Sequence, residues 1–228
     1  MNVIVFGATG MVGAGVLKEC LEDPRVDSVL VVGRTTCGVA HPKLREHIRT
    51  DFFDYTDARS EFEGRDACFF CLGVSALGMS EAQYHRLTYE LTLAAAKVLA
   101  ELDPVLTFCY VSGTGTDSTE SGRAMWARVK GRTENALLRL PFRAYMFRPG
   151  YIQPLKGIRS KTRLYQFVYD VFGPLYPLLK RAFPDRLTTT QNMGQAMIQV
   201  AADGYPRQIL ETADINILAA RAVTARAP

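Results

Sequence analysis

The sequence predicts an α/β protein: a doubly wound parallel sheet with a small, mostly helical C-terminal extension. Three observations predict it. Short runs that are apolar on both faces alternate with helical patterns through the first 150 residues, and strands of that kind belong to parallel sheets covered by helices. A glycine-rich turn joins the first apolar run to the first helical pattern. At 228 residues, 48% apolar and 22% charged, the chain can bury a core large enough to offset ordering entropy without disulfides.

Taken in order, Asn2-Val-Ile-Val-Phe6 is a continuous apolar strand. Met11 to Glu22 has helical spacing, with Val12, Val16, Leu17 and Leu21 on one face. Ser28 to Val32 reads as a second strand, His47 to Asp51 as a short third and Asp66 to Leu72 as a fourth. Ser80 to Leu102 is a long helix rich in Ala and Leu. Val105 to Ser112 is a fifth strand, Glu120 to Leu140 another helix, and Arg143 to Arg148 a sixth strand. The extension starts at Pro149-Gly150. It holds an aromatic segment from Leu164 to Phe183, a helix from Thr190 to Ala202 and a short strand at Gln208 to Glu211. With no repeat or linker, residues 1–218 read as one domain, 150–218 as its substrate-side extension, and 219–228 as a frayed tail with little to bury.

Composition excludes several roles. A formal charge of +4 is too mild to demand nucleic acid, whose binders concentrate basic residues in a stripe. No apolar stretch reaches the roughly 18 residues that span a bilayer, and the first apolar run is too short for a secretory signal. A cytoplasmic protein is expected. Five scattered cysteines suit a reducing compartment. Cys68-Phe-Phe-Cys71 has a C-x-x-C form, but it lies in a buried strand. No second pair exists, and His41, His47 and His85 show no ligand spacing with it. The cysteines read as core residues and no metal is expected.

The turn after the first strand reads Gly7-Ala-Thr9-Gly10-Met11-Val12-Gly13. Gly7 permits a tight turn, Gly10 clears the backbone for a pyrophosphate, and Gly13 lets helix and strand pack closely. Amides at the helix N-terminus then bind the anion. In this strand–turn–helix setting the spacing points to dinucleotide binding. Arg34 ends the second strand where an acidic residue would hold the ribose 2′-hydroxyl of NAD. A guanidinium suits a 2′-phosphate and favours NADP; the other reading is a solvated surface arginine. Asp51-Phe52 after the third strand lies near an adenine or caps the next segment. Leu72-Gly73 ends the fourth strand, where Gly73 admits the cofactor or simply turns the chain.

Ser112 ends the fifth strand, at the edge where ligands of such sheets bind. Trp126 and Lys130 stand four apart and share a helical face. Lys130 either meets a ligand or snorkels along the surface.

Gly7-x-x-Gly10-x-x-Gly13, Ser112, the x-x-x-Lys130 segment and Phe147-Arg148-Pro149-Gly150 resemble short-chain dehydrogenases of the atypical or extended kind. Val111-Ser-Gly-Thr-Gly-Thr-Asp117, Val129-Lys-Gly131 with Glu134, and Phe147 to Gly150 resemble, more closely, the Tat-interacting-protein-like oxidoreductases. The likeness runs over roughly residues 2 to 155 and weakly to about 212. It implies a Rossmann fold, a nicotinamide cofactor held also by Lys130 and Pro149, and a Ser-Tyr-Lys centre. In such a centre the serine orients the substrate, the tyrosine is the acid/base, and the lysine lowers its pKa. Ser112 and Lys130 match, whereas Trp126 stands in the tyrosine position. An indole N–H donates a hydrogen bond but is no usable acid. Tyr151, Thr114 or water are the substitutes open to it.

The expected function is an NADP-binding reductase or nucleotide-sugar-epimerase-like protein acting on a small carbonyl or nucleotide sugar, with a homodimer as one open assembly. The alternative is a regulatory protein that senses NADPH without turnover. Lys156, Arg159, Lys161 and Arg163 form a basic cluster, read as a solvated face or a site for a substrate phosphate. The aromatic segment, broken at Pro174 and Pro177, reads as a substrate lid, an oligomer contact or an interfacial membrane helix, with packing over the cleft favoured.

Overall fold

A computed structural model describes residues 1–154, 183 and 185–226. The basic cluster 156–163 and all of the aromatic segment except Phe183 lie outside the described residues.

Seven strands form one wholly parallel sheet: β1 (Asn2–Phe6), β2 (Ser28–Gly33), β3 (Leu44–Ile48), β4 (Ala67–Phe70), β5 (Thr107–Val111), β6 (Arg143–Arg148) and β9 (Ile209–Glu211). Their order is β3-β2-β1-β4-β5-β6-β9, so the winding reverses direction between β1 and β4. A small second sheet pairs β7 (Tyr151–Gln153) with β8 (Leu187–Thr189), again in parallel.

Successive strand side chains point to opposite faces, and here both faces are apolar. Val3, Val5, Val29, Val31, Phe69 and Phe147 face one layer, formed by α1 (Met11–Glu22), α6 (Thr190–Asp203) and α7 (Thr212–Arg226). Ile4, Phe6, Leu30, Phe70, Phe108 and Met146 face the other. That layer holds α2 (Arg59–Phe62), a helix running from α3 (Glu81–His85) through a π-helical turn (Arg86–Glu90) into α4 (Leu91–Leu102), and α5 (Met125–Leu138).

The two cysteines of the C-x-x-C pair end on different sides. Cys68 packs into one core layer and Cys71 against the other, because residues three apart on an extended chain face opposite ways.

Three bounds differ from the sequence reading by more than two residues, and two strands are new. The third strand lies three residues earlier, at Leu44–Ile48. It is an edge strand whose polar sequence shows no apolar run to locate it. The helix expected from Glu120 begins at Met125, because the Asp117 carboxylate accepts from the Thr119 and Gly122 amides and folds the preceding residues into a turn. Glu120 adopts a left-handed φ of 59° in that turn. The tail expected to fray from residue 219 belongs instead to α7, which runs to Arg226 and buries Leu218, Ala219 and Ala222. Small alanines give little periodic signal, yet they allow close helix packing. The strands β7 and β8 had no counterpart in the sequence reading.

Candidate functional site

The residues singled out from the sequence follow one another along the carboxyl edge of the sheet. Phe52 and Asp51 come after β3, Arg34 after β2, the glycine turn after β1, Leu72 and Gly73 after β4, Ser112 after β5 and Pro149 after β6. This is the edge at which open α/β sheets bind ligands, beside the point where strand order reverses.

The turn itself is tight. Gly7 has φ of 78°, and a Cβ there would lie 2.8 Å from the Cys71 carbonyl. A Cβ on Gly13 would come within 2.1 Å of the Gly7 carbonyl oxygen, so only glycine lets α1 sit this close to β1. Gly10 is the N-cap of α1 and offers no side-chain cap, and the first turn holds no acidic residue. Among the described residues, the amides of Met11, Val12 and Gly13 therefore have no side-chain acceptor, which is the donor set an anion needs. Thr9 and Gly10 are half-buried at the surface of this turn.

Arg34 is exposed and makes no hydrogen bond or ion pair with the described residues. Glu46, the nearest strand carboxylate in sequence register, is occupied. It accepts from the Thr36 hydroxyl at 2.7 Å and the Cys37 amide at 2.7 Å, and these bonds hold its pKa below the usual range. Asp51 is exposed, with its carboxylate on the Phe53 amide at 2.7 Å. The Phe52 side chain turns inward and packs near Tyr55 in the core, so only its backbone is available to a ligand. Arg49 holds this segment: its guanidinium donates to the main-chain carbonyls of Asp51 and Asp54 and stacks over Tyr55. Gly73 is exposed, with nothing within 4 Å of where a Cβ would stand.

Beside this edge opens a cleft of about 650 Å³, whose wall includes Ser112, Thr114, Trp126, Lys130, Pro149 and Tyr84. The structure thus brings Ser112, Trp126 and Lys130 together. Trp126 is 36% exposed, and its ring edge lies 3.3 Å from where a Gly115 Cβ would stand. The Lys130 ammonium donates to the Ser112 main-chain carbonyl. Burial pulls its pKa down to about 8, against the opposing pull of Glu134 one turn further along α5.

Ser112 is held from behind. Its hydroxyl donates to Glu134 Oε1 at 2.5 Å, and the Phe147 carbonyl lies 3.1 Å away. Glu134 is fully buried and also accepts from Arg148 Nε at 3.1 Å. Arg148 in turn donates to the Ser118 hydroxyl at 2.6 Å and approaches Glu211 at 3.7 Å. In the sequence, Glu134 and Arg148 stand out only within motifs, and Tyr84 only within a helical run. The i, i+4 spacing of Lys130 and Glu134 was the one available signal for the buried carboxylate. Tyr151 does not line the cleft, and its hydroxyl bonds Gln153 Oε1 at 2.9 Å.

No family model matches the chain. It is 29% identical over 167 residues to "Leucinostatins biosynthesis cluster protein T" of Purpureocillium lilacinum, covering 72% of this chain and 57% of that one. It is 28% identical over 155 residues to rat "Protein HTATIP2", covering 66% and 62%. The chain therefore spans less than two thirds of the length of either relative. Among solved structures, the Bordetella bronchiseptica enzyme WbmF in complex with NAD+ superposes with a TM-score of 0.68 at 17% identity, over 98% of this chain and 77% of that one. UDP-glucose 4-epimerase of Thermotoga maritima superposes with a TM-score of 0.63 at 13% identity, over 100% and 84%. The chain thus has a Rossmann fold, the fold of these solved structures. The Tat-interacting-protein resemblance read from the motifs is present in the relatives as well. Within that Rossmann fold, the cleft beside Ser112 lies on the far side of the strand-order reversal from Arg34. No helix among the described residues is long and apolar enough to cross a membrane.

Proposed function

We propose that this chain binds a nicotinamide dinucleotide, NADP in preference to NAD, and acts with it as an oxidoreductase on a small carbonyl or alcohol. The observation that carries the reading is the meeting of Ser112, Trp126 and Lys130 in one cleft, on the same sheet edge as the uncapped glycine turn. The turn amides of Met11 to Gly13 would hold the pyrophosphate. Arg34, without a partner among the described residues, would pair with a 2′-phosphate, and the backbone at Asp51-Phe52 would meet the adenine. When bound, the nicotinamide supplies or accepts a hydride.

The cleft wall favours an apolar carbonyl over a nucleotide sugar. Val74, Ala76, Leu77, Met125 and Trp126 line it, and Lys130 is its one cation among the described residues. A sugar diphosphate calls for several cations or amides. Leu77 is 83% exposed at the mouth, where an apolar substrate would cover it.

A second reading has its own support. The Ser112 hydroxyl is already committed to Glu134, and Trp126 cannot act as an acid. Both fit a protein that senses NADPH without turnover. One experiment separates the two. The chain is titrated with NADPH and with NADH while emission from Trp126, the only tryptophan, is followed; NADPH oxidation is then measured with a panel of apolar aldehydes and ketones. Quenching by NADPH with turnover supports the enzyme. Quenching without turnover supports the sensor. Neither quenching nor calorimetric binding defeats both.

A further inference from the structure

A carbonyl bound beside Trp126 needs a proton that an indole cannot give. Among the described residues that line the cleft, only Tyr84 and Lys130 carry an ionisable group. Tyr84 is 2% exposed, and its phenol interacts with Tyr110, which is itself buried in the core. Lys130 is placed differently. Its Nζ stands at the floor of the cleft, against the Ser112 carbonyl and 3.9 Å from where a Gly113 Cβ would be. An ammonium has three N–H donors. Only one has an acceptor among the described residues, which leaves two for ligands.

The geometry points to Lys130 as the proton donor and acceptor of this site, a role beyond supporting a tyrosine. The inference rests on the oxidoreductase reading above. In the reducing direction the carbonyl carbon gains the hydride and the C=O π pair moves to oxygen. The Nζ–H bond breaks as the new O–H bond forms, and the neutral amine regains a proton from water. In the oxidising direction Nζ takes the hydroxyl proton, the O–H pair becomes the C=O π bond, and the hydride lost from carbon would go to the oxidised nicotinamide.

The surroundings suit an amine that exchanges its proton. Desolvation lowers the Lys130 pKa to about 8, within the range useful to a general acid near neutrality. Among the described residues, the charged and titratable groups around it are Glu134 on α5 and Tyr84 on α3. Arg148 on β6 pairs with Glu134, and the exposed Glu211 on β9 approaches Arg148 at 3.7 Å and accepts from the Thr114 hydroxyl of the cleft wall at 3.4 Å. Glu134 pulls the Lys130 pKa upward but is outweighed by burial; its carboxylate also accepts from the Arg148 guanidinium and the Ser112 hydroxyl.

The test compares Lys130→Arg with wild type. Arginine keeps the positive charge and its donors but cannot release a proton. At saturating NADPH, Lys130→Arg is expected to lose about 100-fold or more in reduction, the usual range for a general acid. Adding Trp126→Tyr to Lys130→Arg is expected to restore at least tenfold, because a phenol beside a cation can supply the proton. A second readout needs no turnover: acetic anhydride labelling of Lys130 in the wild-type chain, followed by peptide mass spectrometry across pH. A labelling midpoint near 8 supports the proposal, and a midpoint above about 10, the ordinary lysine range, overturns it. Reduction by Lys130→Arg at the wild-type rate overturns it too, while leaving the oxidoreductase reading intact. Failure of the wild-type chain to bind NADPH defeats both.

Discussion

The hydroxyl of Ser112 donates to the carboxylate of Glu134 at 2.5 Å, and both groups are buried. Ser112 has a single proton, and that proton is used. Toward the cleft the serine therefore offers a lone pair, which receives a substrate hydroxyl more readily than a carbonyl. Glu134 is the hinge of this arrangement, since it also carries the Arg148 guanidinium.

Removing Glu134 takes the closest partner from the half-buried Arg148 guanidinium, which keeps Ser118 and Glu211. Breaking a fully buried ion pair costs about 3–5 kcal/mol. Glu134→Ala is expected to lower the urea unfolding free energy by less than that, because Arg148 retains solvent and these two partners. Glu134→Gln keeps an acceptor for Ser112 and is expected to cost less. Equal stability of wild type and Glu134→Ala would show that the Arg148 pair carries no net weight.

The glycines of the cofactor edge divide by what surrounds them. Gly13→Ala would drive a Cβ into the Gly7 carbonyl, whereas Gly73→Ala meets nothing. Gly13→Ala is expected to lower the thermal midpoint and abolish NADPH binding. Gly73→Ala is expected to keep the melting temperature, and any loss of NADPH affinity it shows would mark the cofactor's path across β4. Calorimetry and thermal melts on both variants decide this.

Arg34 has no partner within the described residues, so its replacement isolates its effect on ligand. A charge-assisted hydrogen bond is worth about 1.5–3 kcal/mol, or about 10- to 100-fold in Kd. Arg34→Glu is expected to weaken NADPH by at least that much and to leave NADH within about threefold. Parallel losses for both cofactors would remove Arg34 from the 2′-phosphate.

The direction of the pH effect follows from the ammonium form of Lys130. Reduction needs the proton on Nζ, so its rate is expected to fall as pH rises through about 8. Oxidation needs the neutral amine and is expected to rise over the same interval. Steady-state rates in both directions from pH 6 to 10 check the crossing, and a flat profile for both would count against it.

Burial pushes the Cys71 thiol up to about 12 and Cys68 and Cys109 well above their ordinary value. Thiolate is the reactive form. In the native chain at pH 8 these three are expected to resist iodoacetamide, reacting only when urea opens the core. Rapid native modification of the Cys68–Cys71 pair would revive a redox role.

The order of β1, α1, β2 and the later strands was legible because each strand is apolar on both faces and each helix carries one apolar stripe. Those are local patterns with fixed periods, and they survive without any contact information. The glycine turn was legible for a similar reason: Gly7 and Gly13 answer to clashes between neighbours a few residues apart. The polar edge strand β3 and the alanine-rich end of α7 carry weak periodic signals, and their places depend on what packs beside them. The sequence by itself determined a parallel sheet, a phosphate-type turn and the spacing of Trp126 and Lys130 on one helical face. Only the tertiary structure decided that Ser112 spends its proton on Glu134, that Arg148 from the next strand pairs with that carboxylate, and that Tyr84 and Lys130 line one cleft. These meetings join residues 14 to 46 positions apart. They are set by which strands neighbour each other and how deeply each side chain is withdrawn from water, and no local pattern encodes either.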